Sequence, residues 1–218
     1  MDRREIIARR AALFFNDGDV VNLGIGLPTT VAAYVPEGVD VILQSENGIV
    51  GIGAPPKPGE EDKDLTDAGG KYTTALPGAA SFDSAMSFAL IRGGHVDATV
   101  MGALQIDQEG NLANWIVPGI RVPGMGGAMD LAAGAKKVII AMEHCTKNGE
   151  PKILKKCSLP LTAIGCVNHV VTELCVLEKT SEGLVLKELA PGVTVGDVLA
   201  KTDAEIIVTD ETAPMGGL

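Results

Sequence analysis

The stretch that decides the fold is Val39-Asp40-Val41-Ile42-Leu43-Gln44-Ser45-Glu46-Asn47-Gly48-Ile49-Val50-Gly51. Val39, Val41 and Leu43 alternate with other residues as strand positions do, which predicts a strand over 39–43. Asn47 and Gly48 are turn formers that tolerate positive φ, so Glu46 stands where that strand has ended. In open α/β sheets the carboxyl ends of the strands face the ligand. A carboxylate delivered there is a candidate nucleophile.

The flanking text carries the same rhythm outward. Ile7, Ala11, Phe14 and Phe15 fall at i, i+4, i+7 and i+8, an amphipathic helix, with Asp2 and Glu5 spaced as a capping-box variant and Gly18 beyond the end. Residues 19–23 read as a short buried strand, 24–28 as a turn and 29–34 as a helix, which with 39–43 makes a βαβ pattern. From Gly51 to Thr74 neither period is present, and Ala-Pro-Pro-Lys-Pro-Gly-Glu-Glu-Asp-Lys-Asp at 54–64 reads as a long loop directly after Glu46. Such loops act as lids, binding loops or partner contacts, or are solvated excursions. Beyond it, 81–91 is predicted helical with Gly93-Gly94 as its stop. A strand over 98–106 precedes a turn at 107–110, and 136–142 is a further buried strand. Residues 170–177 and 184–189 flank Ser181-Glu182-Gly183 as a hairpin, 195–202 is a helix and 205–208 a last strand. With no linker and no fixed-period repeat, the expectation is one domain over 1–218, an α/β fold with an open, mostly parallel sheet flanked by helices.

Composition agrees and narrows the function. In 218 residues, 46% hydrophobic but 3% aromatic, the core must be built of Ala, Val, Ile and Leu, and 27 glycines spread through apolar text imply many tight turns. A formal charge of −10 argues against nucleic-acid and membrane partners, which need a basic face. Cys145, Cys157, Cys166 and Cys175 include no Cys-x-x-Cys pair, and His95 and His169 stand alone, so no metal site is expected. The cysteines read as reduced and mostly buried. The apolar run from Ala11 to Phe15 is too short for a signal-peptide core and no stretch approaches a membrane span, which makes the cytoplasm the default compartment.

A glutamate is ordinarily ionised at neutral pH, so it can attack a carbonyl without a general base. To stay charged it needs donors, for which Asn47 and nearby backbone N–H groups are candidates. Attack on a carbonyl also needs an oxyanion site, and two glycine runs offer one: Gly24-Ile25-Gly26 and Gly124-Met125-Gly126-Gly127. The first fails as a dinucleotide fingerprint, since Thr29 occupies the third glycine position. Glu143-His144-Cys145 is not a nucleophile pair if it lies on a strand, because adjacent side chains point to opposite faces. Trp115 reads as a core residue or the wall of an acyl pocket.

The nine residues Leu43–Gly51 resemble the active-site signature of the family I CoA-transferases, in their β subunit. The likeness extends through Asn22-Leu23-Gly24-Ile25-Gly26-Leu27-Pro28, Ser87-Phe88-Ala89-Leu90-Ile91-Arg92-Gly93-Gly94-His95 and Gly124-Met125-Gly126-Gly127-Ala128-Met129-Asp130-Leu131. The resemblance implies the CoA-transferase fold and a Glu46 that becomes covalently joined to coenzyme A, and it favours Gly124–Gly127 as the oxyanion loop. It further implies an α subunit as partner, an α₂β₂ assembly, and transfer of CoA between a short acyl-CoA and a 3-oxo acid of the acetoacetate type. No cofactor is needed, since the coenzyme A thioester is itself a substrate. Its phosphates would be met by Arg121, Lys136 or Lys137, or by a second chain. Two rival readings remain at this point: a phosphosugar isomerase of related architecture, and a noncatalytic CoA-binding subunit.

Overall fold

The structure is a computed structural model that describes residues 1–120, 122 and 124–218. Its helices are α1 (Arg3–Ala12), α2 (Ser84–Arg92), α3 (Ala128–Gly134) and α4 (Val195–Ala200), with a 3₁₀ helix over Leu27–Tyr34. The strands of the first half are β1 (Val20–Leu23), β2 (Ile42–Ser45), β3 (Ile49–Ile52), β4 (Ala75–Ser81), β5 (Ala98–Met101), β6 (Gln105–Asp107) and β7 (Leu112–Ala113). The second half adds β8 (Lys137–Ala141), β9 (Ile153–Leu154), β10 (His169–Val171), β11 (Cys175–Lys179), β12 (Leu184–Leu189) and β13 (Ile206–Pro214).

Ten strands form one sheet in the order β13-β12-β11-β10-β8-β5-β1-β2-β3-β4, and β7-β6-β9 form a small second sheet. The centre, β2-β1-β5-β8-β10, is wholly parallel. Antiparallel hairpins extend it at both sides, through β3 and β4 and through β11 and β12, while β13 runs parallel to β12. From β1 the chain goes first to β2 on one side and then returns to β5 on the other. In sheets of this kind such a reversal marks the carboxyl ends of the strands beside it, here β1 and β5, as the usual ligand site.

At the centre β5 and β8 are buried on both faces, and β8 accordingly reads as an unbroken apolar run from Val138 to Ala141. Along β8, Val138 and Ile140 join a core with Ile91 of α2 and Leu131 of α3, whereas Ile139 and Ala141 join a second core with Ile7 and Ala11 of α1. Each fully buried Ile contributes about 1.5–3 kcal/mol relative to exposure, which is why the strand survives without polar alternation.

Several boundaries differ from the sequence expectation, each for a local reason. At α1, Asp2 occupies the N-cap without a side-chain cap bond, and Glu5 accepts from Arg9 Nε at 2.9 Å in place of completing a capping box. The strand expected at 39–43 runs over Ile42–Ser45: Asp40 is held by Asp17 and Gly18, and pairing with β1 starts at Val20 and Ile42. The loop expected from Gly51 starts at 53, after β3, and ends at β4. That strand is an exposed sheet edge, where Pro77 and Gly78 are tolerated and no apolar alternation is required. In consequence α2 begins at Ser84, capped by the Asp83 side chain, and not at 81. The strand expected at 98–106 breaks after Met101, and Gln105–Asp107 joins the small sheet. The run 170–177 is two strands, because Thr172 Oγ1 accepts from the N–H groups of Leu174 and Cys175 and turns the chain back. The last strand extends from Ile206 to Pro214 through a bulge against β12.

Candidate active site

Glu46 is the first residue after β2. Gly48 N donates to Ser45 O at 3.0 Å and Gly48 O accepts from Phe82 N at 2.9 Å, which closes the turn between β2 and β3 against the end of β4. Gly48 has φ +120°, and a Cβ there would collide with the Phe82 carbonyl oxygen, so only glycine fits. The turn leaves Glu46 half-buried at the carboxyl end of β2.

The donor to Glu46 is Asn22, whose Nδ2 lies 3.1 Å from Glu46 Oε2. Asn22 and Gln44 are register partners on β1 and β2, so their side chains lie side by side, and Asn22 also donates to the Gln44 backbone and side-chain oxygens. The expected donor, Asn47, faces elsewhere: its Nδ2 donates to Thr66 O at 2.7 Å. Asn22 was singled out by no chemical argument from sequence. The available signal was a lone amide in the apolar strand Val20-Val21-Asn22-Leu23, which once buried must find partners.

The two glycine runs end up in different situations. Gly24 N is committed to Val100 O at 2.8 Å across the switch point, and Gly26 caps the 3₁₀ helix at an exposed turn. Gly127, the N-cap of α3, lies against Glu46: a Cβ there would sit 3.1 Å from Glu46 Cγ and 3.4 Å from the Phe88 ring. Gly124 and Gly126 are exposed in the approach to it. Ala128 N turns back to Met125 O, while Gly127 N has no hydrogen-bond partner among the described residues.

The long loop is drawn in over the same place. Besides the Asn47–Thr66 bond, Ala68 N donates to Ser45 Oγ at 2.8 Å, and Gly69 approaches Ile25. The loop apex, the Gly24–Gly26 turn, Glu46 and Gly127 therefore converge on one end of the parallel strands.

The expected phosphate ligands do not converge there. Lys136 and Lys137 stand at the amino end of β8, on the opposite rim of a parallel sheet, where Lys136 Nζ pairs with Asp97 at 2.7 Å and Lys137 Nζ donates to Phe14 O at 2.9 Å. The Lys136 ammonium and the Val20 amide hold the Asp97 carboxyl below its ordinary range. Arg121 lies outside the described residues. His144 is enclosed and bonded to Thr172 and Thr202, away from the Cys145 thiol. All four cysteines are free, though Cys175 alone is fully buried; burial pushes its thiol and that of Cys157 up to about 12, and Cys166 to about 11. Trp115 is half-buried and donates to Leu161 O at 3.3 Å.

With the sheet reversal, the strand-end carboxylate and the glycine before α3 at one end of its parallel strands, the chain has the fold of the CoA-transferase class. The family model for coenzyme A transferase matches residues 4–201, and the chain belongs to that family. Among its relatives, the acetate CoA-transferase β subunit of Haemophilus influenzae is 58% identical, over 99% of this chain and 96% of that one. A succinyl-CoA:3-ketoacid coenzyme A transferase subunit of Helicobacter pylori is 52% identical, over 94% and 99%. The crystal structure of an acyl-CoA transferase apoenzyme from Escherichia coli superposes with a TM-score of 0.79 at 24% identity, covering 99% of this chain but 44% of the longer one. That structure has the same fold in less than half of its chain. The CoA-transferase fold read from the sequence is thus the fold of this protein, with a parallel centre flanked by helices on both faces.

Proposed function

We propose that this chain is the glutamate-bearing subunit of a two-subunit CoA-transferase that moves CoA between a short acyl-CoA and a 3-oxo acid such as acetoacetate. The observation that carries the reading is Glu46 at the carboxyl end of β2, held on one oxygen by Asn22 and lying against Gly127. The names of the relatives, subunits of acetate and succinyl-CoA:3-ketoacid transferases, support an α partner and an acetate or 3-oxo acid substrate.

In this mechanism the Glu46 carboxylate attacks the thioester carbonyl, giving an acyl-glutamyl anhydride and CoA thiolate. The thiolate attacks the glutamyl carbonyl, which forms a glutamyl-CoA thioester and releases the first carboxylate. The acceptor carboxylate then repeats both steps in reverse, so Glu46 is regenerated and the thioester bond is conserved. Kinetics are ping-pong, and neither a nucleotide nor a metal is consumed. Each oxyanion needs a fixed donor worth about 3 kcal/mol of barrier. We assign this role to the Gly127 N–H, because Gly127 adjoins the Glu46 side chain and its N–H has no hydrogen-bond partner among the described residues, whereas the Gly24 N–H is bonded to Val100.

The test is to assemble the chain with its α partner, add acetoacetyl-CoA, trap the thioester with borohydride and locate the modified peptide by mass. The label falls on the peptide holding Glu46, and Glu46→Gln lowers exchange by more than about 10³-fold, as loss of a covalent nucleophile does. A label elsewhere, or full activity in Glu46→Gln, refutes the assignment.

A further inference from the structure

Three buried polar side chains stand in single file behind Glu46. Asn22, Gln44 and Ser87 are 1%, 4% and 0% exposed. Gln44 Nε2 donates to Ser87 Oγ at 3.1 Å, Gln44 Oε1 accepts from Asn22 Nδ2 at 2.9 Å, and Asn22 Nδ2 donates to Glu46 Oε2 at 3.1 Å. The file runs from α2 through β2 and β1 and ends on the carboxylate.

Its sense is set by chemistry. The Asn22 nitrogen faces the Gln44 backbone carbonyl and the Glu46 carboxylate, both fixed acceptors, so an oxygen in its place would meet two oxygens. Gln44 must then show its oxygen to Asn22 and its NH₂ to Ser87, whose hydroxyl accepts. Two hydrogens on Asn22 Nδ2 serve three acceptors, so the share that reaches Glu46 depends on where the Gln44 oxygen is held. Ser87 holds it.

We propose that Gln44 and Ser87 are positioning residues that fix the Asn22 amide and, through it, aim the Glu46 carboxylate. The proposal rests on the reading of Glu46 as the nucleophile. Amides and hydroxyls between a sheet and a helix are unfavourable unless hydrogen-bonded, and apolar side chains would fill that space without the penalty. A purely structural cluster would close on itself; this one terminates at the reacting group. Helix α2 also borders the site through Phe88, next to Ser87, whose ring lies against the same Gly127 position as Glu46 Cγ. A small displacement of a reacting group is enough to slow a reaction strongly, which gives such support its kinetic weight.

The test uses the complex with the α partner and four variants: Ser87→Ala, Ser87→Thr, Ser87→Val and Gln44→Met. The readouts are kcat, KM for acetoacetyl-CoA, and the single-turnover rate at which the Glu46 peptide gains CoA mass. Ser87→Ala lowers kcat and the single-turnover rate roughly tenfold or more while KM stays within about twofold. Ser87→Thr outperforms Ser87→Val, which has the same branched shape without the hydroxyl. Gln44→Met, which keeps the side-chain length and removes both polar atoms, shows the same kcat loss as Ser87→Ala. Wild-type rates in Ser87→Ala or Gln44→Met, or equal rates in the Thr and Val variants, overturn the proposal. Its failure is distinct from failure of the transfer reading: in the first case Glu46→Gln is still inactive, in the second it is not.

Discussion

Glu46 and His144 both follow the carboxyl end of a central parallel strand, and both are approached by buried polar side chains, yet they are opposites. His144 is 0% exposed, its ring nitrogens lie 3.0 Å from Thr172 Oγ1 and 2.9 Å from Thr202 Oγ1, and its backbone N–H donates to Glu173. Every hydrogen-bonding group of that residue is used inside the protein. Glu46 is half-buried and has Asn22 on Oε2, while Oε1 has no hydrogen-bond partner among the described residues. A polar group satisfied on all sides ties elements together; one held on a single oxygen at a rim keeps the other for chemistry.

The comparison breaks most visibly if His144 turns out to matter for rate. Through its ring it joins the segment after β8 to Thr172, at the β10–β11 turn, and to Thr202, after α4. His144→Ala removes both ring hydrogen bonds and leaves a cavity in their midst, although Thr172 Oγ1 keeps the Leu174 and Cys175 N–H groups and Thr202 Oγ1 keeps the Val198 carbonyl. The expected cost is about 3 kcal/mol of folding stability, read as a lower urea midpoint, with kcat of the folded complex unchanged.

Gly127→Ala sharpens the other half. Gly127 has an ordinary negative φ, so the substitution introduces no backbone strain, but its Cβ would press on Glu46 Cγ and the Phe88 ring. The carboxylate must shift by a few tenths of an ångström. We expect kcat to fall by about tenfold to a hundredfold, roughly 1–3 kcal/mol of barrier, with the urea midpoint nearly unmoved. The two variants therefore exchange effects: stability without rate in one, rate without stability in the other.

How much of this was legible in the sequence follows the same division. The central strands and Glu46 at the end of one of them could be read because strand-like apolar patterns and turn residues are local signals. The edge strand β4 could not, since an exposed edge needs no pattern, and Thr172 hid a chain reversal inside an apolar run. At the site, Glu46 and the glycines were legible as local text. The Asn22–Gln44–Ser87 file was not, because it joins residues up to 65 positions apart that only the sheet register and α2 bring together. Lys136 and Lys137 were misplaced for a related reason: strand direction, which sequence periodicity does not carry, puts them on the far rim.

The smallest effect is a pH dependence that isolates the closed cluster. Burial, with the Lys201 and Lys152 ammonium groups adding to it, pushes the His144 pKa down from 6.5 to about 4. Between those values the unfolded chain takes up a proton that the folded protein refuses, so acid favours unfolding. The contribution is complete above pH 6.5, declines as pH falls toward 4 and is constant below that. Between pH 7 and 5.5 it amounts to a loss of about 1 kcal/mol. His169, whose pKa burial also lowers, titrates in the same direction, so the measurement is a difference. Urea midpoints of the wild type and of His144→Gln, taken at both pH values, should show the wild type losing about 1 kcal/mol more than the variant. Equal losses would mean that the imidazole is reached by water, and His144 would then resemble Glu46 more than the closed cluster allows.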